Sequence, residues 1–384
     1  MNNHYSEDQR RVIAPSSVQI ELQFAASDVE KRNVFQFRYH TYVVEMAKQI
    51  PAADHESEQL CDDLDAWGDI LYATVEGAII GTIRINTGSI DDFPPSLRKI
   101  LALHAFQDHP CQDGTPRFSY CSKLMVAPAY RSSSAFYLLV SKGYELFCTN
   151  QVQFAFTACN FHLFRLYEQM GFHRYADNFT DPGYGLLAPM VLPVNDLDYM
   201  RARRSPLFRI ARKRGNVEQQ SVQWFHATVD DRAPIVNSQL ITPDELWSLI
   251  CSHFTASPME SIPLLRTLSE AEAKLFFHAC ASLVRCHAGE ELTRQGDVSY
   301  CYYLLLSGKL KSLTFIRPPK EYAIPGHFFG ANGLLGHAKH TEDIVAATDC
   351  KILSLSGMAF QKFCHAQPDI ADKLFQQNIT LGWK

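Results

Sequence analysis

Along the first two hundred residues the apolar positions change period several times. From Asp28 to Ile50 they fall at Val34, Phe35, Phe37, Tyr42, Val43 and Met46, close to the period of a helix. Two short apolar runs follow, Ile70–Val75 and Ala78–Ile85, separated by Glu76-Gly77. Glycine tolerates the positive φ of a tight turn, so this pair reads as a hairpin. A further strand, Phe118–Val126, leads through Ala127-Pro128 into a helical stretch, Ser133–Cys148. Strand Gln153–Thr157 and helix Phe161–Met170 come next, ending at Gly171-Phe172. This order predicts, over residues 20–198, a mixed sheet with helices packed on it. Residues 199–261 read as a basic linker with a connecting helix, which Thr242 caps and Pro243 opens. From 262 to 384 the apolar runs are short, as at Tyr302–Leu306 and Lys351–Leu355. Gly289, Gly296, Gly308, Gly326, Gly330 and Gly333 punctuate them, which predicts a small roll or barrel. A helix from Ala359 to Leu381 is expected to close the chain, and the whole is of the α+β class.

Composition narrows the choices. A chain of 384 residues is long enough for two domains, each with its own core. The net charge of −5 argues against a molecule that binds nucleic acid through its overall field. No apolar run approaches the ~20 residues of a membrane helix. The segment Met1–Asp8 shows neither a basic nor an apolar signal-peptide region, so a cytoplasmic protein is expected. The eleven cysteines form no Cys-x-x-Cys pair and no cluster with histidine at zinc spacing. They read as free thiols, and no metal is expected.

The C-terminal pattern is more specific. Ala288-Gly289-Glu290-Glu291-Leu292-Thr293-Arg294-Gln295-Gly296-Asp297, followed by Tyr302-Tyr303-Leu304-Leu305-Leu306-Ser307-Gly308-Lys309-Leu310, resembles the opening of a cyclic-nucleotide-binding domain. Pro325-Gly326-His327-Phe328-Phe329-Gly330 and the run from Ala346 to Leu355 continue that resemblance in order and spacing. The resemblance implies a short helix after Phe329-Gly330 whose N–H groups cradle the cyclic phosphate. It also implies a glutamate next to that glycine for the ribose, and an arginine about nine residues on for the phosphate. Here those positions hold Ala331 and His340, the latter beside Thr341. Alanine cannot accept from a ribose hydroxyl, and histidine is only partly charged near neutral pH. Forgoing one charge-assisted hydrogen bond weakens binding by ~1.5–3 kcal/mol. Gly330, Ala331, His340 and Thr341 therefore read as a degenerate pocket. Cyclic AMP or GMP is not the expected ligand, and a role in packing, homodimerisation or binding of another ligand is.

The N-terminal pattern carries a second resemblance. Val126-Ala127-Pro128-Ala129-Tyr130-Arg131-Ser132-Ser133-Ser134-Ala135 is similar to the strand-to-helix crossing of the GNAT acyltransferase superfamily, and Leu166-Tyr167-Glu168-Gln169-Met170-Gly171-Phe172 to its last helix and the following strand. The crossing implies a donor-phosphate site at Arg131, Ser132, Ser133 and Ser134. Ser134 and Phe136 stand where acetyl-CoA loops carry glycines, which limits backbone approach to a pyrophosphate. Phe37-Arg38-Tyr39, Asp62-Asp63-Leu64-Asp65, Gly81-Thr82-Ile83-Arg84 and Ser122-Lys123 resemble, in that order, the autoinducer and N-acyl amino acid synthases. That branch takes acyl chains from acyl carrier protein.

The resemblance implies aminolysis of an acyl thioester, supplied by acyl carrier protein or coenzyme A. Backbone N–H near Met125 and Val126 would meet the oxyanion. Asp62 and Asp65 would hold or deprotonate the amine, and Tyr167 would protonate the leaving thiolate. Arg38 and Arg84 would bind a carboxylate on the acceptor, unless they only form a surface ion pair with those aspartates. Residues 201–214 hold seven basic side chains and no acidic one. They fit an acidic carrier protein, an anionic membrane surface at the inner face, or a plain solvated linker. Two further readings stand beside this one: a cyclic-nucleotide-regulated protein-lysine acetyltransferase, and a non-catalytic scaffold.

Overall fold

The computed structural model describes residues 19–110, 114, 116–131, 133–215, 217–229, 239–313 and 318–380. Strand β1 (Glu21–Phe24) precedes helix α1 (Asp28–Tyr39), which Ser27 and Glu30 close with a reciprocal capping box. The helical pattern runs on to Ile50, but α1 ends at Tyr39 and passes into a π-helical turn, His40–Glu45. Its hydrogen bonds lengthen: the N–H of Met46 donates to the carbonyl of Thr41, and that of Lys48 to Tyr42. The short pair β2 (Ala53–Asp54) and β3 (Gln59–Leu60) comes before the expected hairpin, β4 (Asp69–Val75) and β5 (Ala78–Gly88). Gly77 supplies positive φ at the turn.

Next come α2 (Pro95–Ile100), β6 (Phe118–Val126), α3 (Ala135–Thr149), β7 (Phe154–Cys159), α4 (Phe164–Met170), β8 (His173–Arg174), β9 (Phe179–Asp181) and β10 (Gly185–Pro193). The strands form one mixed sheet in the order β1-β4-β5-β6-β7-β10-β8, with β9 beside β10. Only β6 and β7 run parallel, and their pairing ends at Tyr120 and Phe156. Beyond that point β6 keeps β5 on one edge and no longer pairs with β7 on the other. Helix α3 lies close on β5, because a Cβ at Gly143 would stand 3.0 Å from the Cδ1 of Ile85. Phe106, Phe154, Phe156 and Phe225 fill the opposite face.

Over its described residues the stretch expected as a basic linker with a connecting helix is folded, and the expected helix capped by Thr242 is among its elements. It contains α5 (Leu197–Ala202), α6 (Phe208–Ala211), α7 (Gln220–Thr228), α8 (Pro243–Cys251) and α9 (Pro258–Ser261). Leu207 and Ala211 are buried in the main core, and Phe208 and Ile210 pack against it. Arg203 is buried too, donating to the carbonyl of Glu168. Arg201, Arg204, Arg209, Arg212 and Lys213 are exposed, so this surface shows cations and turns its apolar side chains inward.

Helix α10 (Glu270–Cys280) leads into the antiparallel roll. Its strands are β11 (Ala281–Cys286), β12 (Glu291–Thr293), β13 (Cys301–Ser307), β14 (Leu310–Leu313), β15 (Glu321–Tyr322), β16 (Phe328–Phe329), β17 (Asp343–Ala346) and β18 (Cys350–Ser356). They form two four-stranded sheets, β11-β18-β13-β16 and β12-β17-β14-β15. Gly308, at φ +89°, makes the turn from β13 to β14 where a side chain would collide with the carbonyl of Asp349. The closing helix is split by Pro368 into α11 (Gly357–Ala366) and α12 (Pro368–Thr380). Polar contacts join the roll to the first sheet and its helices: Arg165 donates to the carbonyl of Ala281, Arg174 of β8 to that of Leu283, and Ser356 to that of His162.

Candidate functional site

The acidic turn after β3 meets the sheet in a buried charge cluster. Asp62 caps a short 3₁₀ turn, Asp63–Ala66, and the carboxylate of Asp65 accepts from the backbone N–H of Asp62. Arg38, at the end of α1, pairs with Asp65 at 2.7 Å. Arg84, on β5, pairs with Asp62 and, at 2.9 Å, with Asp65. Lys123 adds a third cation, 3.3 Å from Asp62. The arginines do take those aspartates as partners, but the pairs lie inside the protein. Arg38 is 0% exposed, and only Asp62, at 30%, reaches toward solvent.

Three cations therefore face two carboxylates. Among the described residues, Nε and Nη2 of Arg38 have no hydrogen-bond partner. Burial lowers the Arg38 guanidinium from its ordinary value, with Asp65 working against that fall. Burial alone would raise the Asp62 carboxyl, but Arg84 and Lys123 outweigh it and hold the group below the usual range. Asp62 thus stays ionised and is a weak proton acceptor, better suited to holding an ammonium than to deprotonating it.

The geometry at Lys123 depends on an irregular strand. Its φ is +54°, and the β5–β6 register shifts between Thr82 and Arg84 opposite it. Such a bulge re-aims side chains, and here Lys123 reaches both Asp62 and the hydroxyl of Tyr184, 2.9 Å away. The ring of Tyr184 meets that of Tyr42 edge-on, centroids 5.0 Å apart. Lys123, Tyr42 and Tyr184 were not singled out from the sequence as catalytic or binding groups. The only signals were the Ser122-Lys123 motif and an apolar tyrosine in a helical pattern.

Tyr167 sits on α4 in an apolar cavity with Ile83, Cys121, Leu124, Phe136 and Phe147. Burial, reinforced by Cys159, Tyr42 and Cys121, keeps its phenol protonated well above the ordinary range, despite a hydrogen bond with Thr157. Thr157 in turn donates to the carbonyl of Cys121, just past the point where β6 and β7 separate. A protonated phenol beside an open strand edge is a proton donor in waiting. Tyr42 lies within electrostatic reach of Tyr167 on one side and of Arg38, Arg84 and Lys123 on the other.

On that open edge the carbonyl of Val126 accepts from Nε of Arg131 at 3.2 Å. The N–H and carbonyl of a strand residue share one edge and alternate along it. The Val126 amide therefore faces the opening, whereas that of Met125 is turned toward β5. Of the donor-loop residues, Arg131 also pairs with Glu45 at 2.6 Å. Ser133 accepts from the N–H of Ala135, and Ser134 precedes α3 without a side-chain cap. Ser132 lies outside the described residues.

In the roll, Nδ1 of His340 accepts from the N–H of Ala331 at 3.0 Å. Burial lowers the His340 pKa to about 4, so the ring is neutral near pH 7. Gly330, at φ +74°, packs against that ring, and residues 331–336 form no helix. Thr341 is exposed. The degenerate pocket thus has no cation at position 340, although Lys48 and Arg294 border the same cavity, and a backbone donor next to its glycine is already used. Among the described residues no group of three or more His, Cys, Asp or Glu side chains could hold a metal, and no helix is long and apolar enough to cross a membrane.

Two family models match. Residues 37–141 match the acetyltransferase (GNAT) domain, and residues 283–367 the cyclic nucleotide-binding domain. Two cAMP-dependent protein kinase regulatory subunits are similar in sequence. That of Colletotrichum orbiculare is 33% identical over 127 residues, 32% of each chain. That of Neurospora crassa is 32% identical over 108 residues, 27% of each. The chain spans about a third of the length of the curated relatives it matches. Among solved structures, FeeM, an N-acyl amino acid synthase from uncultured soil microbes, is 11% identical with a TM-score of 0.38, over 50% of this chain and 99% of that one. The catabolite activator protein of Thermus thermophilus is 24% identical with a TM-score of 0.26, over 30% and 55%. The two matched stretches lie one on each side of the folded connector, and the chain carries an acetyltransferase (GNAT) domain followed by a cyclic nucleotide-binding domain.

Proposed function

We propose that this protein is an N-acyltransferase whose acceptor is a small amine bearing a carboxylate. The observation that carries the reading is the charge cluster: a fully buried Arg38 with two unused donors, in a group of three cations and two carboxylates. A carboxylate on the acceptor would supply the missing negative charge and satisfy the guanidinium fork. The open edge of β6 would take the acyl thioester, delivered by acyl carrier protein or coenzyme A, with its carbonyl oxygen on the Val126 amide.

The acceptor's ammonium would rest on ionised Asp62 and release a proton to water. Its nitrogen would then attack the thioester carbon, forming the C–N bond. As the C–S bond breaks, Tyr167 would pass its proton to the thiolate, and the tyrosinate would regain one from the attacking amine. The basic surface around Arg209 and Lys213 would favour an acidic carrier protein over an apolar membrane contact, because the apolar side chains there face inward. The roll would serve regulation or assembly.

Mass spectrometry of lipid extracts from cells overproducing the protein tests the activity, since it reports acyl length and acceptor together. A new N-acylated amino acid is expected, and Tyr167→Phe should lower its formation by roughly 10²-fold or more. No new N-acyl product, with no difference between wild type and Tyr167→Phe, would sink the reading.

A further inference from the structure

Tyr42 and Tyr184 wall the charge cluster, yet neither is held in place by the first sheet alone. Tyr42 belongs to the π-helical turn, whose last backbone bond runs from the N–H of Lys48 to the carbonyl of Tyr42 at 2.9 Å. The side chain of Lys48 leaves this turn and pairs with Asp297 of the roll at 2.8 Å, only 10% exposed. Tyr184 belongs to the loop between β9 and β10, which Asp181 ties by accepting from the N–H groups of Gly183 and Tyr184. That loop is gripped from the roll as well, because Arg294 donates to the carbonyl of Pro182 at 3.0 Å. Its Gly183 lies so near Ile50 that a Cβ would be 3.2 Å from the Cα of Ile50. Two contacts from one short stretch of the roll, Arg294 and Asp297, therefore fix the two segments that carry the aromatic wall. The space between them is a cavity bordered by Lys48, Tyr184, Arg294, Asp297, Tyr300 and His340.

We propose that Lys48 and Arg294 are positioning residues through which the roll sets the separation of Tyr42 and Tyr184, and so the affinity of the neighbouring site for its amine acceptor. Neither residue touches the reacting atoms. The physical case is leverage. A side-chain ion pair at Lys48 is one backbone hydrogen bond from Tyr42, and the Arg294 contact is two residues from Tyr184. A half-buried pair of this kind, with Lys48 10% and Asp297 23% exposed, holds geometry whatever its net contribution to stability. The assignment of an amine acceptor rests on the function proposed above, but the mechanical coupling does not.

The test uses the full-length chain with Lys48→Met, Asp297→Asn, Arg294→Met and, as the conservative replacement, Lys48→Arg. Hydrogen–deuterium exchange followed by mass spectrometry should show faster exchange in 40–48 and 181–185 for the first three variants. Exchange in β5 and β6 should stay as in the wild type. In acyl-transfer assays the acceptor KM should rise by roughly tenfold with kcat and donor KM held, a loss of ground-state positioning rather than of chemistry. Lys48→Arg should recover most of it. Unchanged exchange in both segments would overturn the proposal, as would faster exchange throughout the chain, or a fall in kcat at constant acceptor KM. If the wild type transfers no acyl group, the functional reading fails while the exchange pattern alone decides the coupling.

Discussion

A fully buried guanidinium with unused donors is costly, since a buried donor left unmade forfeits about 1–3 kcal/mol. Arg38 carries two such donors and shares its one carboxylate with Arg84. Removing one member of a buried pair ordinarily destabilises by ~3–5 kcal/mol because the other charge is stranded. Asp65 would not be stranded in Arg38→Met, as Arg84 stays 2.9 Å away. The expected loss in urea titration is therefore nearer ~1–2 kcal/mol. Acceptor affinity should fall as well, by roughly 10-fold or beyond, since the fork is lost. A variant with normal acceptor KM would show that Arg38 is structural only. Asp62 gives a pH test. Its folded pKa is depressed, so its contribution is complete above the unfolded value of 3.8 and disappears as pH falls through the folded one. Asp62→Asn should then be less stable than wild type at about pH 7, and the two should converge below about pH 4. A gap of constant size down to about pH 3 would mean the carboxylate does not couple to Arg84 and Lys123.

At the scale of elements, what could be read from the sequence follows from how local the signal was. The β4–β5 hairpin needed only two apolar runs and the Glu76-Gly77 turn, and both lie within sixteen residues. The roll's strands were legible for the same reason, its glycines marking turns, most of them at positive φ and some, such as Gly308, where a side chain would collide with backbone. The π-helical turn was not, because Tyr42, Val43 and Met46 continue a helical pattern whether bonds run four residues back or five. In the connector the helix capped by Thr242 was legible, whereas the short helices of its basic part were not, because their charge outweighed their few apolar anchors, Leu207 and Ala211. At the site, Asp62, Asp65, Arg38 and Arg84 were legible as residues, but their mutual pairing depends on β5 passing beside α1. Lys123 could not be placed without its positive φ. Gly183 carries a prediction at this scale. Gly183→Ala would press on the backbone at Ile50, and overpacking of this sort costs ~1–3 kcal/mol. Thermal unfolding should register that loss, with faster exchange in 181–185. Stability equal to wild type would show that the loop yields freely and is not clamped.

For the whole molecule the open issue is whether the roll responds to a cyclic nucleotide, and the structure makes this a matter of two side chains. Binding to the folded state stabilises by RT ln(1 + [L]/Kd), about 2.7 kcal/mol at a hundredfold excess over Kd, which shifts Tm by roughly 5–10 °C for a unit this size. In the wild type, neutral His340 offers no charge to a phosphate, its ring occupies the Ala331 N–H, and Ala331 offers nothing to a ribose. Millimolar cyclic AMP or cyclic GMP should leave its Tm unchanged. Ala331→Glu with His340→Arg changes all three conditions together, since the arginine cannot accept from the Ala331 amide and brings a permanent cation. The double variant should gain a saturable, nucleotide-dependent rise in Tm, and either single variant a smaller one. This outcome separates a pocket lost at two positions from a roll whose whole cavity has changed use. A clear wild-type shift with either nucleotide would show that the contacts at 331 and 340 are dispensable, and would return direct cyclic-nucleotide control of the acyltransferase site to first place. No shift even in the double variant would place the obstacle elsewhere, at the Lys48–Asp297 pair beside the same histidine. The roll would then act on the N-terminal site through its contacts alone, with the cavity between them closed to nucleotides.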